Sequence, residues 1–205
     1  MKLFITGIGT DVGKTIASAI VTQALEADYW KPIQAGDLDN SDSHKIQRYI
    51  SNDKTIIHPN SYKLNTPASP HFAAAIDGIT IDLKQIQEPA TKNHLVIEGA
   101  GGVLVPINNQ DCIIDLIQKD YKVLLVSRHY LGSINHTLLT FGALKNRKIP
   151  LAGIIFSGDE NKASEEIILS KTKAKFIGRI EEETYFNANV IQQYADDFRE
   201  NLLTL

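Results

Sequence analysis

The stretch that most constrains this chain is Thr6-Gly7-Ile8-Gly9-Thr10-Asp11-Val12-Gly13-Lys14-Thr15, set between the apolar run Leu3-Phe4-Ile5 and a helical pattern from Ile16 to Leu25. It reads as a strand, a glycine-rich turn and a helix N-terminus, the arrangement that holds a phosphate chain. Glycines let the backbone wrap tightly and aim successive N–H groups at phosphate oxygens, while the helix dipole adds positive potential. Lys14 supplies a mobile charge, and the Thr15 hydroxyl is of the type that ligates Mg²⁺. The expected nucleotide cradle is therefore Gly9, Thr10, Asp11, Val12, Gly13, Lys14 and Thr15. Five residues separate Gly7 from Gly13, one more than the strict spacing, so the loop is read as a longer variant. The alternative, a glycine turn with a chance Gly-Lys-Thr, leaves the strand–turn–helix order unexplained.

Downstream, short apolar runs alternate with helical periodicity. Strands are expected over 2–6, 29–33, 94–97, 122–126, 151–156 and 175–177; helices over 14–27, 43–50, 82–90, 111–119, 133–147, 163–171 and 189–202. Uninterrupted apolar strands alternating with helices predict an α/β, P-loop NTPase-like fold with a mostly parallel sheet covered on both faces. Ligands of such sheets gather beyond the carboxyl ends of the strands. Four segments follow those ends: Gly7 to Thr15, Lys31 to Gly36, Glu98-Gly99-Ala100-Gly101-Gly102, and Ser127 to Ser133.

Each segment has a bland and a functional reading. Lys31 is either solvated or a charge for a transferring phosphoryl group or anionic substrate. Asp42 is either a helix cap, a role Ser41 could also fill, or a Mg²⁺ ligand facing the loop. Glu98 ends an apolar strand, where a carboxylate is costly unless paired or metal-bound. It is assigned to Mg²⁺ and nucleotide in preference to an ordinary ion pair. Gly99, Gly101 and Gly102 let backbone approach a ligand closely. Ser69 and Pro70 suit a helix start, with His71 a surface or capping residue. The helix opened by Gly132-Ser133-Ile134-Asn135 offers exposed N–H groups as a second anion site.

Composition sets the outer limits. A chain of 205 residues, 43% hydrophobic and 22% charged, buries one good core, so residues 1–205 are expected to form a single domain. A formal net charge of −3 gives no pull toward nucleic acid or anionic membrane. The lone Cys112 excludes an internal disulfide and is expected to be a packed helix residue. Three apolar residues before Thr6 are too few for a signal peptide, and no run reaches the length of a membrane span, so a cytoplasmic protein is expected.

Taken together, Thr10-Asp11-Val12-Gly13-Lys14-Thr15, Lys31-Pro32, Asn40-Ser41-Asp42, Pro67-Ala68-Ser69-Pro70-His71, Glu98-Gly99-Ala100-Gly101-Gly102 and Leu131-Gly132-Ser133-Ile134-Asn135-His136 resemble the ATP-dependent dethiobiotin synthetases of biotin synthesis. The resemblance implies a homodimeric ligase that joins 7,8-diaminononanoate and CO₂ at the expense of ATP with Mg²⁺, the substrate lying near the subunit interface. It implies Lys14 and Lys31 as charges on the transferring phosphoryl group, and Thr15, Asp42 and Glu98 as Mg²⁺ ligands. It also implies Thr10 at phosphate or carbamate and Asp11 near the substrate amines. The amides of Gly132, Ser133, Ile134 and Asn135 would take the substrate's carboxylate.

The departures are specific. Ala35 stands where a serine hydroxyl is usual, and Ser157-Gly158 replaces the Asn-Asp pair that reads adenine. Glu181-Glu182-Glu183 lies where a proline is usual. Two rivals remain: a deviant P-loop ATPase of the cell-division or partition kind, whose signature lysine would fall at Gly9, and a nucleotide-sensing module without ligase chemistry. The acidic Asp196, Asp197 and Glu200 argue against a membrane-binding C-terminal helix, and a sensor would not need Lys31.

Overall fold

The computed structural model describes all 205 residues. Nine strands and six helices run in the order β1 (Lys2–Gly7), α1 (Lys14–Leu25), β2 (Asp28–Trp30), β3 (Ile33–Ala35), α2 (Asp42–Tyr49), β4 (Ile57–His58), β5 (Tyr62–Leu64), α3 (Pro70–Ile76), β6 (Leu95–Gly102), β7 (Tyr121–Arg128), α4 (Ser133–Asn146), β8 (Leu151–Ser157), α5 (Lys162–Thr172), β9 (Lys175–Ile180) and α6 (Ala188–Leu203). Seven strands form one sheet in the order β4-β2-β6-β1-β7-β8-β9, and β3 and β5 form a small second sheet. Every pairing between strands is parallel.

Strand alternation builds the two covered faces. Leu3, Ile5, Leu124 and Val126 pack with Ala17, Ile20 and Val21 of α1 and Ile191, Phe198 and Leu202 of α6. Phe4, Ile97 and Val123 turn the other way, against Ala73 and Ala74 of α3 and Leu144 of α4. Leu125, Ile154 and Phe156 meet Ile168 of α5. Because β1 lies between β6 and β7, the chain leaves it first toward one edge and later toward the other. That reversal opens a crevice at the carboxyl ends.

Five expectations are corrected. The strand expected over 29–33 stops at Trp30, because Pro32 has no N–H for the ladder and its carbonyl accepts instead from the amides of Ser61 and Tyr62. The chain then re-forms as β3 in the small sheet. Over 82–90 there is one 3₁₀ turn, Leu83–Gln85, after which Glu88 is drawn to the Tyr121 hydroxyl at 2.6 Å and to Lys2 at 2.7 Å. Over 111–119 there is likewise one turn, Ile113–Leu116. The chain here pairs back onto the preceding segment, with the amides of Ile113 and Ile114 donating to the carbonyls of Val105 and Val103, and the turn ends where Ile117 returns to extended backbone. Cys112 consequently caps a 3₁₀ turn from extended backbone, half-buried, and is not inside a helix. Helix α1 ends at Leu25, where Glu26 adopts φ +49°.

Candidate functional site

At the crevice lies a cavity of about 840 Å³, walled by the loop into α1, the residues after β2, Glu98, Ala100 and Gly101 of β6, Pro67-Ala68-Ser69-Pro70 at the start of α3, and residues 180–182 at the end of β9. Its floor is set by the phosphate loop. Gly7 cannot carry a side chain, since a Cβ there would lie 2.5 Å from Val12 Cγ2. Gly13 caps α1 at φ +95°, with Ser157 Oγ 3.1 Å from where its Cβ would be. Val12 is buried in the core and anchors the loop; Thr10, Asp11, Gly13, Lys14 and Thr15 line the cavity. The Lys14 ammonium donates to the Gly9 carbonyl at 2.8 Å and has no carboxylate in contact. Burial, with some help from the Lys31 charge, pushes its pKa down to about 8 despite the attraction of Glu98.

Opposite Lys14 is a buried charge cluster. Tyr29 and Glu98 project from neighbouring strands, with Tyr29 paired to Val96, so alternation sets Tyr29, Val96 and Glu98 on one face. Lys31, two residues beyond Tyr29, joins them as the chain leaves the sheet. Glu98 Oε1 accepts from Thr15 Oγ1 at 3.0 Å and from Lys31 Nζ at 3.0 Å, and Oε2 accepts from the Tyr29 hydroxyl at 2.9 Å. Lys31 Nζ also donates to Asp42, whose other oxygen accepts from Lys45 at 3.3 Å. Burial alone would lower the Lys31 pKa, but Glu98 and Asp42 reverse this and hold it above its ordinary value. For Asp42 burial acts upward and is outweighed by Lys31 and Lys45, so its pKa is lowered. Burial, and then the Glu98 charge, hold the Tyr29 phenol protonated well above its ordinary range.

The local sequence explains why Asp42 is free for this task. Ser41 is the N-cap of α2: its hydroxyl accepts from the His44 amide at 3.4 Å, and His44 Nδ1 accepts from the Ser41 amide at 3.3 Å. Capping falls to Ser41, and Asp42 turns into the cavity.

The donor set suits a hard divalent cation bound with a nucleotide. Asp42 and Glu98 already share one cation, the Lys31 ammonium, with the Thr15 hydroxyl alongside. No group of three or more His, Cys, Asp or Glu gathers to hold a metal. Mg²⁺ asks for few protein carboxylates and completes its shell with phosphate oxygens and water, so two acids and a hydroxyl fit it.

Not every expected residue reaches the cavity. Gly101 lines it, but Gly99 packs between Ile113 and Phe4, 3.2 Å from each where its Cβ would be. Gly132, Ser133, Ile134 and Asn135 lie outside it. Ser133, the first residue of α4, is buried, and Leu131 two residues before it is fully exposed. Ser69 caps α3 without a side-chain bond, and His71 is exposed. Among residues the sequence reading passed over, Tyr29 meets Glu98, and Arg128 donates to the Asp11 carbonyl at 3.1 Å and to Glu182 at 3.0 Å. Only Tyr29 had a signal, its i, i+2 spacing from Lys31. The acidic run is also accounted for: Glu181 pairs with Arg179 at 2.7 Å, Glu182 with Arg128, and Glu183 accepts from Tyr194 at 2.6 Å.

The chain is similar to known proteins in sequence and in fold. A family model described as an AAA domain matches residues 1–189. The chain is 59% identical to the ATP-dependent dethiobiotin synthetase BioD of Christiangramia forsetii, covering 97% of this chain and 96% of that protein. It is 52% identical to the BioD of Cytophaga hutchinsonii, covering 95% of each. Among solved structures it is similar to the MinC:MinD cell division protein complex of Aquifex aeolicus, with TM-score 0.59 at 15% identity over 100% of this chain and 96% of that one. A putative plasmid partition protein from Borrelia burgdorferi bound to AMPPNP gives TM-score 0.59 at 13% identity over 99% and 98%. Those two likenesses are of fold alone. Identity of 59% along nearly the whole length decides between the two groups: the chain belongs to the ATP-dependent dethiobiotin synthetases.

Proposed function

We propose that this chain carboxylates 7,8-diaminononanoate with CO₂ and closes the ureido ring of dethiobiotin, using ATP as co-substrate and Mg²⁺. The observation that carries the reading is the buried Lys31–Asp42–Glu98 cluster facing Lys14 across one cavity. In the reaction one substrate amine attacks CO₂, forming an N–C bond and losing a proton. The carbamate oxygen then attacks the γ-phosphorus as the bond to ADP breaks. Finally the second amine attacks the carbonyl carbon, expelling phosphate and closing the ring.

The central difficulty is bringing two anions, carbamate and triphosphate, into line. Lys14, buried with only a carbonyl for company, is placed to gain an anion. Lys31 supplies a second charge from the carboxylate side, where it stabilises the transferring group. Thr15, Asp42 and Glu98 would hold Mg²⁺, which when bound neutralises charge on the phosphate oxygens. Thr10 and Asp11 face the second substrate from the extra length of the loop. Gly9, Val12 and Gly13 shape the backbone cradle, with Gly101 at its far wall and Gly99 allowing the close packing beneath. The nucleoside end falls against Ser157, Ile180 and Phe186.

We infer a homodimer and a cytoplasmic setting in which residues 1–205 work as one domain. Gly132, Ser133, Ile134 and Asn135 lie outside their own chain's cavity beside exposed Leu131 and Tyr130, which fits a role at the partner's bound substrate across the interface. No helix is long and apolar enough to cross a membrane. Purified protein supplied with diaminononanoate, bicarbonate, Mg²⁺ and ATP is expected to yield dethiobiotin, ADP and phosphate by mass spectrometry. Absence of dethiobiotin with every nucleoside triphosphate would sink the assignment.

A further inference from the structure

We propose that Tyr29 is a positioning residue that fixes the Glu98 carboxylate for the divalent cation. The inference rests on Glu98 being a ligand, as read above. Tyr29 is fully buried, and its hydroxyl spends its proton on Glu98 Oε2 at 2.9 Å. The other oxygen, Oε1, is left to the cavity side, where Thr15 and Lys31 reach it. A glutamate side chain has three rotatable bonds, and its terminal torsion is broad. Here one oxygen is pinned to a ring buried in the same core cluster as Ile46, Val96 and the inner residues of α1, which restricts where the other can point. Support of this kind, one layer behind the ligand, orients the donor atom and raises metal affinity by roughly 10–100-fold in comparable sites. The phenol is neutral and adds no charge, so its effect is on orientation and not on the net attraction for a cation.

The test removes one oxygen atom. Mn²⁺ replaces Mg²⁺ in titrations with a non-hydrolysable ATP analogue, read by the electron paramagnetic resonance of free Mn²⁺. Tyr29→Phe, which keeps the buried ring, is expected to weaken Mn²⁺ binding about tenfold while analogue binding without metal is unchanged. Glu98→Gln is expected to weaken it further, and Tyr29→Phe added to Glu98→Gln should then cost nothing more. Wild-type Mn²⁺ affinity in Tyr29→Phe, or a full additional loss in the double variant, overturns the proposal while leaving Glu98 a ligand. Wild-type affinity in Glu98→Gln overturns the ligand reading and this inference with it. A second readout uses the unmutated chain: the slowly exchanging Tyr29 hydroxyl proton should shift on adding analogue with Mg²⁺ but not analogue alone. An unmoved resonance contradicts the role.

Discussion

Two carboxylates in this molecule are equally buried, at 1% exposure, on adjacent strands: Asp28 at the start of β2 and Glu98 midway along β6. Their partners differ in kind. Asp28 accepts from the Ile56 amide at 3.1 Å, Asn93 at 3.2 Å and Thr91 at 2.6 Å, from the loops before β4 and β6, and pairs with His58 of β4 at 3.1 Å. Glu98 is held by two hydroxyls and the Lys31 ammonium, and it borders the large cavity. A carboxylate tied by fixed, mostly neutral donors staples loops together. One that shares a side-chain ammonium with a second carboxylate beside the crevice is placed to exchange it for a metal ion. Burial does not separate the two; the identity of the partners and the end of the sheet do.

That contrast can be broken by swapping each acid for its amide. Glu98→Gln should lower kcat by about 10³-fold, the scale of losing a charge that acts in phosphoryl transfer, while Asp28→Asn leaves kcat of the folded enzyme unchanged. Comparable kcat losses from the two would erase the distinction. In thermal melts the order should reverse. Asp28→Asn puts an amide N–H₂ among existing donors and should cost about 2–4 kcal/mol, a fall of roughly 5–15 °C for a chain this size, against a few degrees for Glu98→Gln.

Titration sharpens the contrast further. Lys14 loses its charge through about pH 8 in the free protein, so nucleotide affinity should be flat below that and fall up to tenfold per unit above it, with proton uptake on binding seen by calorimetry in two buffers. An affinity independent of pH up to pH 10 would contradict a role for the Lys14 charge. Stability moves oppositely: between about 8 and the ordinary 10.5 only the unfolded chain holds the Lys14 proton, so the apo protein should gain stability as pH rises. At Asp28 burial acts upward but Thr91, the Ile56 amide, His58 and Asn93 prevail, lowering its pKa below the ordinary 3.8. Its stabilisation is present above that value and lost as pH falls through the lowered one. Acid unfolding of Asp28→Asn should lack that step. The smallest effect concerns the base: with Ser157-Gly158 at the nucleoside end, turnover with CTP or GTP should fall within about tenfold of ATP, since no side-chain amide reads both adenine edge atoms there.

Much of this was legible in the sequence. The apolar runs and the loop before Lys14 fixed a parallel sheet and its crevice, because a strand buried on both faces has no polar alternation to misread. The strands Ile57–His58 and Tyr62–Leu64 were not legible, being two and three residues long with polar members. Two expected helices failed because distant contacts, which periodicity cannot see, redirect the chain: Glu88 is held by Tyr121 and Lys2, and residues 112–114 pair back onto 103–106. In the cavity, Lys31 and Glu98 stood out as charges at the ends of apolar runs. Asp42 stayed ambiguous until Ser41 was seen to cap α2. Tyr29 and Arg128 depend on contacts across 69 and 117 residues of chain, set only by packing. The α4 start sits on the expected rim, yet the loop through Leu131 carries it clear of the cavity.

The most direct test of a cation-sharing catalytic cluster is Lys31→Ala, measured for ATP binding by calorimetry and for turnover by dethiobiotin formation. If Lys31 acts chiefly on the transferring phosphoryl group, ATP binding should stay within roughly threefold while kcat falls by about 10³-fold. Equal loss of binding and turnover would contradict it and return Lys31 to the status of an ordinary buried ion pair.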